Sequence, residues 1–109
     1  MIEVIHHDAV AEIRLARPPV NALNLEMLQS LHAALDASVR DGAHGIVLSG
    51  VPGMFSAGVD VPALLQADRA GVLAFWREFF ATAAALACSP VPVVAAITGP
   101  RSEARRVGK

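Results

Sequence analysis

Gly45-Ile46-Val47-Leu48-Ser49-Gly50-Val51-Pro52-Gly53, running into Met54-Phe55-Ser56-Ala57-Gly58-Val59-Asp60-Val61-Pro62, is the stretch on which the fold turns. Gly45 to Leu48 is apolar without alternation, the pattern of a strand covered on both faces. Ser49 to Gly53 supplies turn chemistry, so the strand delivers its end to the small residues at 56 to 58. With no bulky side chain there, a ligand can approach the backbone closely. Asp60 and Pro62 suit the start of a helix, whose first N–H groups are free to face an anion or a polarised oxygen. The stretch therefore reads as strand, ligand loop, helix.

Upstream, Ala11, Ile13 and Leu15 alternate with Glu12 and Arg14, and Ile2 to His6 alternates more weakly. A period of two predicts a pair of strands, joined at His7-Asp8. His6 and His7 are expected as exposed turn residues, because neither has a carboxylate or cysteine at a metal-binding spacing. Pro18-Pro19 ends the second strand and forces an extended path into Val20-Asn21-Ala22. Asn24 can cap a helix over 24–40, with Glu26 in its first turn and Arg40 in its last, each matching the helix dipole. Leu28, Leu31, Leu35 and Val39 form its apolar stripe, and Gly42 supplies the stop. His32 lies off that stripe and is expected to be solvated.

Downstream, 62–66 reads as a short helix and 71–87 as a longer one. Val72, Trp76, Phe79, Phe80, Ala83 and Leu86 recur there at helical steps, predicting a core-facing stripe, with Trp76 and Phe79 as candidate pocket residues. A strand over 93–97 follows. Strands 10–16, 45–49 and 93–97 are expected in one sheet, with helix 24–40 packed on it, an α/β layered unit. The run from Phe79 to Ile97 is uncharged and long enough to raise the question of a membrane span. Pro90 and Pro92 cut it in two, so a helix end followed by a buried strand is the better reading.

At 109 residues the chain has room for one small domain, and its hydrophobic content of 54% exceeds what so short a chain readily buries. A net charge of −1 offers nothing to attract nucleic acid or an anionic membrane. The single cysteine, Cys88, excludes an internal disulfide; its apolar helical setting predicts a buried thiol, and a reducing cytoplasm is the expected location. No basic n-region or apolar h-region of a signal peptide opens the sequence.

Three segments carry a family resemblance. Phe55-Ser56-Ala57-Gly58-Val59-Asp60-Val61 resembles the F-[SC]-A-G-x-D-[LIV] segment of the enoyl-CoA hydratase/isomerase (crotonase) family. Arg17-Pro18-Pro19-Val20-Asn21-Ala22-Leu23-Asn24 is similar to that family's R-P-x-x-x-N-A-L segment, and Pro92-Val93-Val94-Ala95-Ala96-Ile97-Thr98-Gly99 to the strand that follows. The resemblance covers residues 1–99 and implies an α/β fold, the N-terminal part of the crotonase β-β-α spiral, truncated.

Members of that family act on acyl-CoA thioesters through an enolate whose oxygen is held by two backbone N–H groups. Carried over by position, the first donor is the N–H of Val59, and Val20, Ala22, Ala57, Val59, Asp60 and Val61 would contact CoA, mostly through backbone atoms. Helix capping is the competing reading of Asp60. The second donor falls at Ala104, where the family's glycine pair is missing, and Glu103 is a poor substitute for the family's catalytic glutamates. CoA is part of the substrate, so no separate cofactor is implied, nor is a metal. The parent enzyme is expected to be a homotrimer or hexamer.

The Pro-Pro-Val-Asn-Ala-Leu segment leans toward an enoyl-CoA isomerase. A hydratase, an inert truncated fragment and a protein-interaction module are the alternatives. Residues 100–109 hold four of the nine basic residues. They read either as a basic, disordered tail or as foreign sequence appended to a truncated frame.

Overall fold

Alternation in the first sixteen residues becomes a hairpin. In a computed structural model, which describes residues 1–18, 21–51, 55–56 and 58–97, strand β1 (Ile2–His7) pairs antiparallel with β2 (Val10–Leu15). The turn is Asp8-Ala9 rather than His7-Asp8, since His7 pairs with Val10. Asp8 takes φ 56° there, the positive φ that a two-residue hairpin turn demands and that Asp tolerates. His6 and His7 are exposed, as expected, but they are strand residues, and His7 Nε2 lies 2.8 Å from Glu12 Oε1.

Helix α1 (Leu25–Arg40) starts where Asn24 accepts the N–H of Met27 at 2.9 Å. It ends at Asp41, with Gly42 following at φ 89°. Strand β3 (Gly45–Ser49) runs parallel to β2, and β4 (Val93–Ala96) runs parallel to β3, giving one sheet in the order β1-β2-β3-β4. All three predicted strands therefore share a sheet. Leu28, Leu31 and Leu35 of α1 are buried together with Met27, and the core is closed by Ile13 and Leu15 of β2 and by Ile46 and Leu48 of β3.

Between β3 and β4 lie α2 (Val61–Gln66) and α3 (Arg69–Ala87), the latter capped by Asp68. The expected stripe on α3 is corrected. Its buried residues are Phe75 and Thr82, and Phe79 and Leu86 continue that face toward the core, whereas Trp76 and Phe80 are exposed. Positions 75, 79, 82 and 86 are one helical face. A threonine in the middle conceals it from a count of apolar residues.

His32 is only partly exposed and is paired rather than free in solvent: its Nδ1 lies 2.8 Å from Glu78 Oε2 on α3, and its Nε2 lies 3.7 Å from Asp36. The Cys88 thiol is exposed, because the residue caps the C-terminus of α3 beyond the packed face. Strand β4 pairs as expected but is largely exposed, Val94 included. By length and composition α3 meets the requirements of a membrane-crossing helix, yet it is held against α1 by the His32–Glu78 pair.

Candidate active site

Because β2 and β3 are parallel, the segments leaving their carboxyl ends emerge at the same end of the sheet. That end is where open α/β sheets present ligand loops. The two segments meet as a one-residue parallel bridge between Leu23 and Val59. The Leu23 N–H donates to the Gly58 carbonyl at 2.7 Å, and the Asp60 N–H donates to the Leu23 carbonyl at 2.8 Å. In such a bridge the groups of the residue on the other strand turn outward. The Val59 N–H accordingly faces away from Leu23 and has no hydrogen-bond partner among the described residues.

Asn21, with φ 53° and 1% exposure, holds the two segments together. Its Nδ2 donates to the Leu15 carbonyl at 3.0 Å and to the Phe55 carbonyl at 2.9 Å, and its Oδ1 accepts the Arg17 N–H at 2.6 Å. One amide side chain thus joins the end of β2 to a loop 34 residues away. Its own carbonyl accepts the Ser56 hydroxyl at 2.7 Å, and that hydroxyl accepts the Gly58 N–H at 3.0 Å. Gly58 has φ 96°, and a Cβ there would meet nothing within 4 Å, so backbone conformation rather than crowding requires the glycine.

Asp60 is held from two sides. Its Oδ2 lies 2.8 Å from Arg17 Nη1, while its Oδ1 accepts the Ala63 N–H at 3.1 Å and so caps α2. The Arg17 guanidinium, and after it the Ala63 N–H, hold the carboxyl below its ordinary value of 3.8 against the opposing effect of burial. Arg17 Nη1 also donates to the Ala22 carbonyl at 2.7 Å. The capping reading of Asp60 is therefore correct, and the arginine is a second partner that helix periodicity does not reveal.

Beneath these loops lies an apolar cavity of about 380 Å³. Leu15 and Leu48 of the sheet, Leu28 and Leu31 of α1, and Phe79 and Leu86 of α3 wall it, with Phe55, Ser56 and Gly58 at the loop side. Of the two candidate pocket residues, Phe79 lines this cavity and Trp76 does not. A smaller crevice of about 90 Å³ lies at the opposite end of β2, between the hairpin turn and the C-terminus of α1. Among the described residues no group of three His, Cys, Asp or Glu side chains is arranged to hold a metal ion.

The enoyl-CoA hydratase/isomerase family model matches residues 6–102. The chain belongs to the enoyl-CoA hydratase/isomerase family. It is similar to the probable enoyl-CoA hydratase EchA17 of Mycobacterium tuberculosis, 38% identical over 93 residues, covering 83% of this chain and 35% of that protein. It is likewise similar to mouse mitochondrial enoyl-CoA delta isomerase 1, 32% identical over 101 residues, covering 91% of this chain and 35% of the relative. Among solved structures, human mitochondrial delta3-delta2-enoyl-CoA isomerase superposes with a TM-score of 0.83 at 32% identity, covering 90% of this chain and 40% of that one. The chain thus spans about a third of the length of these curated relatives. The fold of this family member is the crotonase fold over about nine-tenths of its length.

Of the residues that the family resemblance marked, Ala22, Val59, Asp60 and Val61 are brought together around the Leu23–Val59 bridge. Val20, Ala57, Glu103 and Ala104 lie outside the described residues, as does the segment 100–109. Arg17, Asn21 and Ser56 hold the site together, although neither periodicity nor the family segment marks them as site residues. Arg17 and Asn21 stand in the quoted family segment, and a polar residue between Val20 and Ala22 was the available signal.

Proposed function

We propose that this chain binds acyl-CoA thioesters and that the Val59 N–H is one of the two donors to the enolate oxygen. The observation that carries the reading is the Val59 amide itself, turned outward by the Leu23 bridge and without a partner among the described residues, beside an apolar cavity. Charge develops on the thioester oxygen as the α-carbon loses a proton or its neighbour gains a nucleophile. A preorganised donor then acts most strongly in the transition state. Ala22, Asp60 and Val61, with Val20 and Ala57, are proposed to cradle CoA through backbone atoms, and the cavity to take the acyl tail. CoA enters as part of the substrate, with no separate cofactor, nucleic acid or membrane as partner.

For the full-length parent, assembled as a trimer or hexamer in the cytoplasm, we infer an enoyl-CoA isomerase from the Pro-Pro-Val-Asn-Ala-Leu segment. A hydratase is the second reading, favoured by the higher identity to EchA17. The test is calorimetric titration of the chain and of Val59→Pro with CoA and with acetoacetyl-CoA, whose thioester readily adopts the enolate form. Proline removes the N–H. The expected result is preference for acetoacetyl-CoA in the parent sequence and its loss in the variant, with CoA affinity kept. Equal weakening toward both ligands overturns the oxyanion role.

A further inference from the structure

The direction of the Val59 N–H is set by the peptide unit it shares with Gly58. In a trans peptide the carbonyl and the N–H point opposite ways in one rigid plane. Pinning the Gly58 carbonyl to the Leu23 N–H at 2.7 Å therefore aims the Val59 N–H outward. With one pin, that plane can still swing about the Gly58 ψ and Val59 φ bonds. It also moves with any displacement of the Gly58 N–H on its other side, since glycine offers little resistance to rotation. The second pin is the Ser56 hydroxyl, which accepts the Gly58 N–H at 3.0 Å and donates its own proton to the Asn21 carbonyl at 2.7 Å. Asn21 is fixed in turn by the Leu15 and Phe55 carbonyls.

We propose that Ser56 and Asn21 are positioning residues, a relay that carries the rigidity of the β2 end to the Val59 amide. The inference rests on the oxyanion reading of Val59 for its catalytic meaning and on the geometry alone for its mechanics. Ser56 fits no nucleophilic role, because its proton is committed to a carbonyl and none of its partners is a base. A hydroxyl suits the relay because it donates and accepts at once. Alanine does neither.

The test uses the full chain with Ser56→Ala and Ser56→Thr, reading the Val59 and Asp60 amide resonances and their hydrogen exchange by NMR. Titrations with CoA and acetoacetyl-CoA run alongside. Ser56 is only partly buried, so the alanine variant is expected to fold, with the remaining amide resonances as the check; Ser56→Cys, a weak donor, serves as a graded second variant. Ser56→Ala should shift both amides and speed Val59 exchange. It should also narrow the acetoacetyl-CoA to CoA affinity ratio by about tenfold, part of the 10²–10³ lost with a whole donor. Ser56→Thr should restore all three.

An unmoved Val59 resonance in Ser56→Ala overturns the relay, and so does failure of Ser56→Thr to restore it. Should the parent sequence show no preference for acetoacetyl-CoA, the oxyanion reading fails. The amide shifts and their rescue then still decide the positioning role.

Discussion

Arg17 Nη1 lies 2.8 Å from Asp60 Oδ2, a contact that spans the two loops leaving β2 and β3. The same nitrogen donates to the Ala22 carbonyl, so one guanidinium fixes both strands of the Leu23–Val59 bridge. Arg17→Ala should release the Asp60 carboxyl, whose value is depressed first by that guanidinium. The expected outcome is a rise of the Asp60 pKa toward its ordinary 3.8, read by carbon-detected NMR titration. Because the folded value is the lower one, the pair stabilises the fold above 3.8 and its contribution fades as pH falls. Arg17→Lys should recover only part of the effect, since an ammonium lacks the planar fork. An Asp60 titration unchanged in Arg17→Ala contradicts the assignment.

Glu12 governs the acid response of the sheet. It sits on the face of β2 opposite the core, where Ser49 Oγ donates to its Oε2 at 2.6 Å and Arg14 Nη2 at 3.0 Å, with His7 on Oε1. The Ser49 hydroxyl, then His7, then Arg14 lower its pKa from 4.5 to about 2. A depressed carboxylate adds stability that is complete above the unfolded value and disappears as pH falls through the folded one. Thermal stability should thus drop between pH 4.5 and about 2, and Glu12→Gln should flatten that part of the profile. Identical profiles for the two proteins would count against this account.

How much of this was legible depends on the distance over which each residue acts. The α1 stripe of Leu28, Leu31 and Leu35 follows from spacing within one helix, and the shared sheet of β2, β3 and β4 follows from apolar strands alternating with helices. The α3 face did not, because Thr82 occupies a core position and is satisfied by the Glu78 carboxylate at 2.9 Å and the Leu28 carbonyl at 3.4 Å. Nor did the roles of Asn21 and Ser56, each of which also reaches a partner more than 30 residues away that it meets only once the sheet has formed. The role proposed for Val59 comes only through the family segment, since a backbone donor leaves no mark on its side chain.

His32 and Glu78 join α1 to α3, and Thr82 donates to the same carboxylate oxygen that meets His32. The imidazole is the main influence holding Glu78 below its ordinary value, against burial. Both side chains are partly exposed, so the pair is worth about 1 kcal/mol rather than the larger figure for a fully buried charged hydrogen bond. His32→Ala and Glu78→Gln should each lower the melting temperature by about 4–8 °C. The double variant should lose little more than either single one, as a shared interaction requires. Strictly additive losses would show that the two side chains act independently.

The 109-residue chain should show no turnover of enoyl-CoA, whatever its affinity for the thioester. Proton transfer at the α-carbon needs a basic group within hydrogen-bond reach of the bound acyl chain. No carboxylate or imidazole lines the apolar cavity among the described residues. Asp60, one residue from the Val59 amide, is committed to Arg17 and to the α2 cap, and its lowered pKa makes it a weak base. Glu78 is occupied by His32 and Thr82, and Glu12 lies on the far face of the sheet. Lacking a positioned acid or base forfeits about 10²–10⁴ in rate. On the proposed oxyanion role of Val59, the absence of a second donor among the described residues would leave a further shortfall of about 10²–10³. Hydration and double-bond migration can be followed by ultraviolet absorbance on a short and a medium enoyl-CoA, with Val59→Pro as the control. Turnover above a heat-inactivated sample, abolished by that proline, would overturn the expectation and require a base among the residues outside those described.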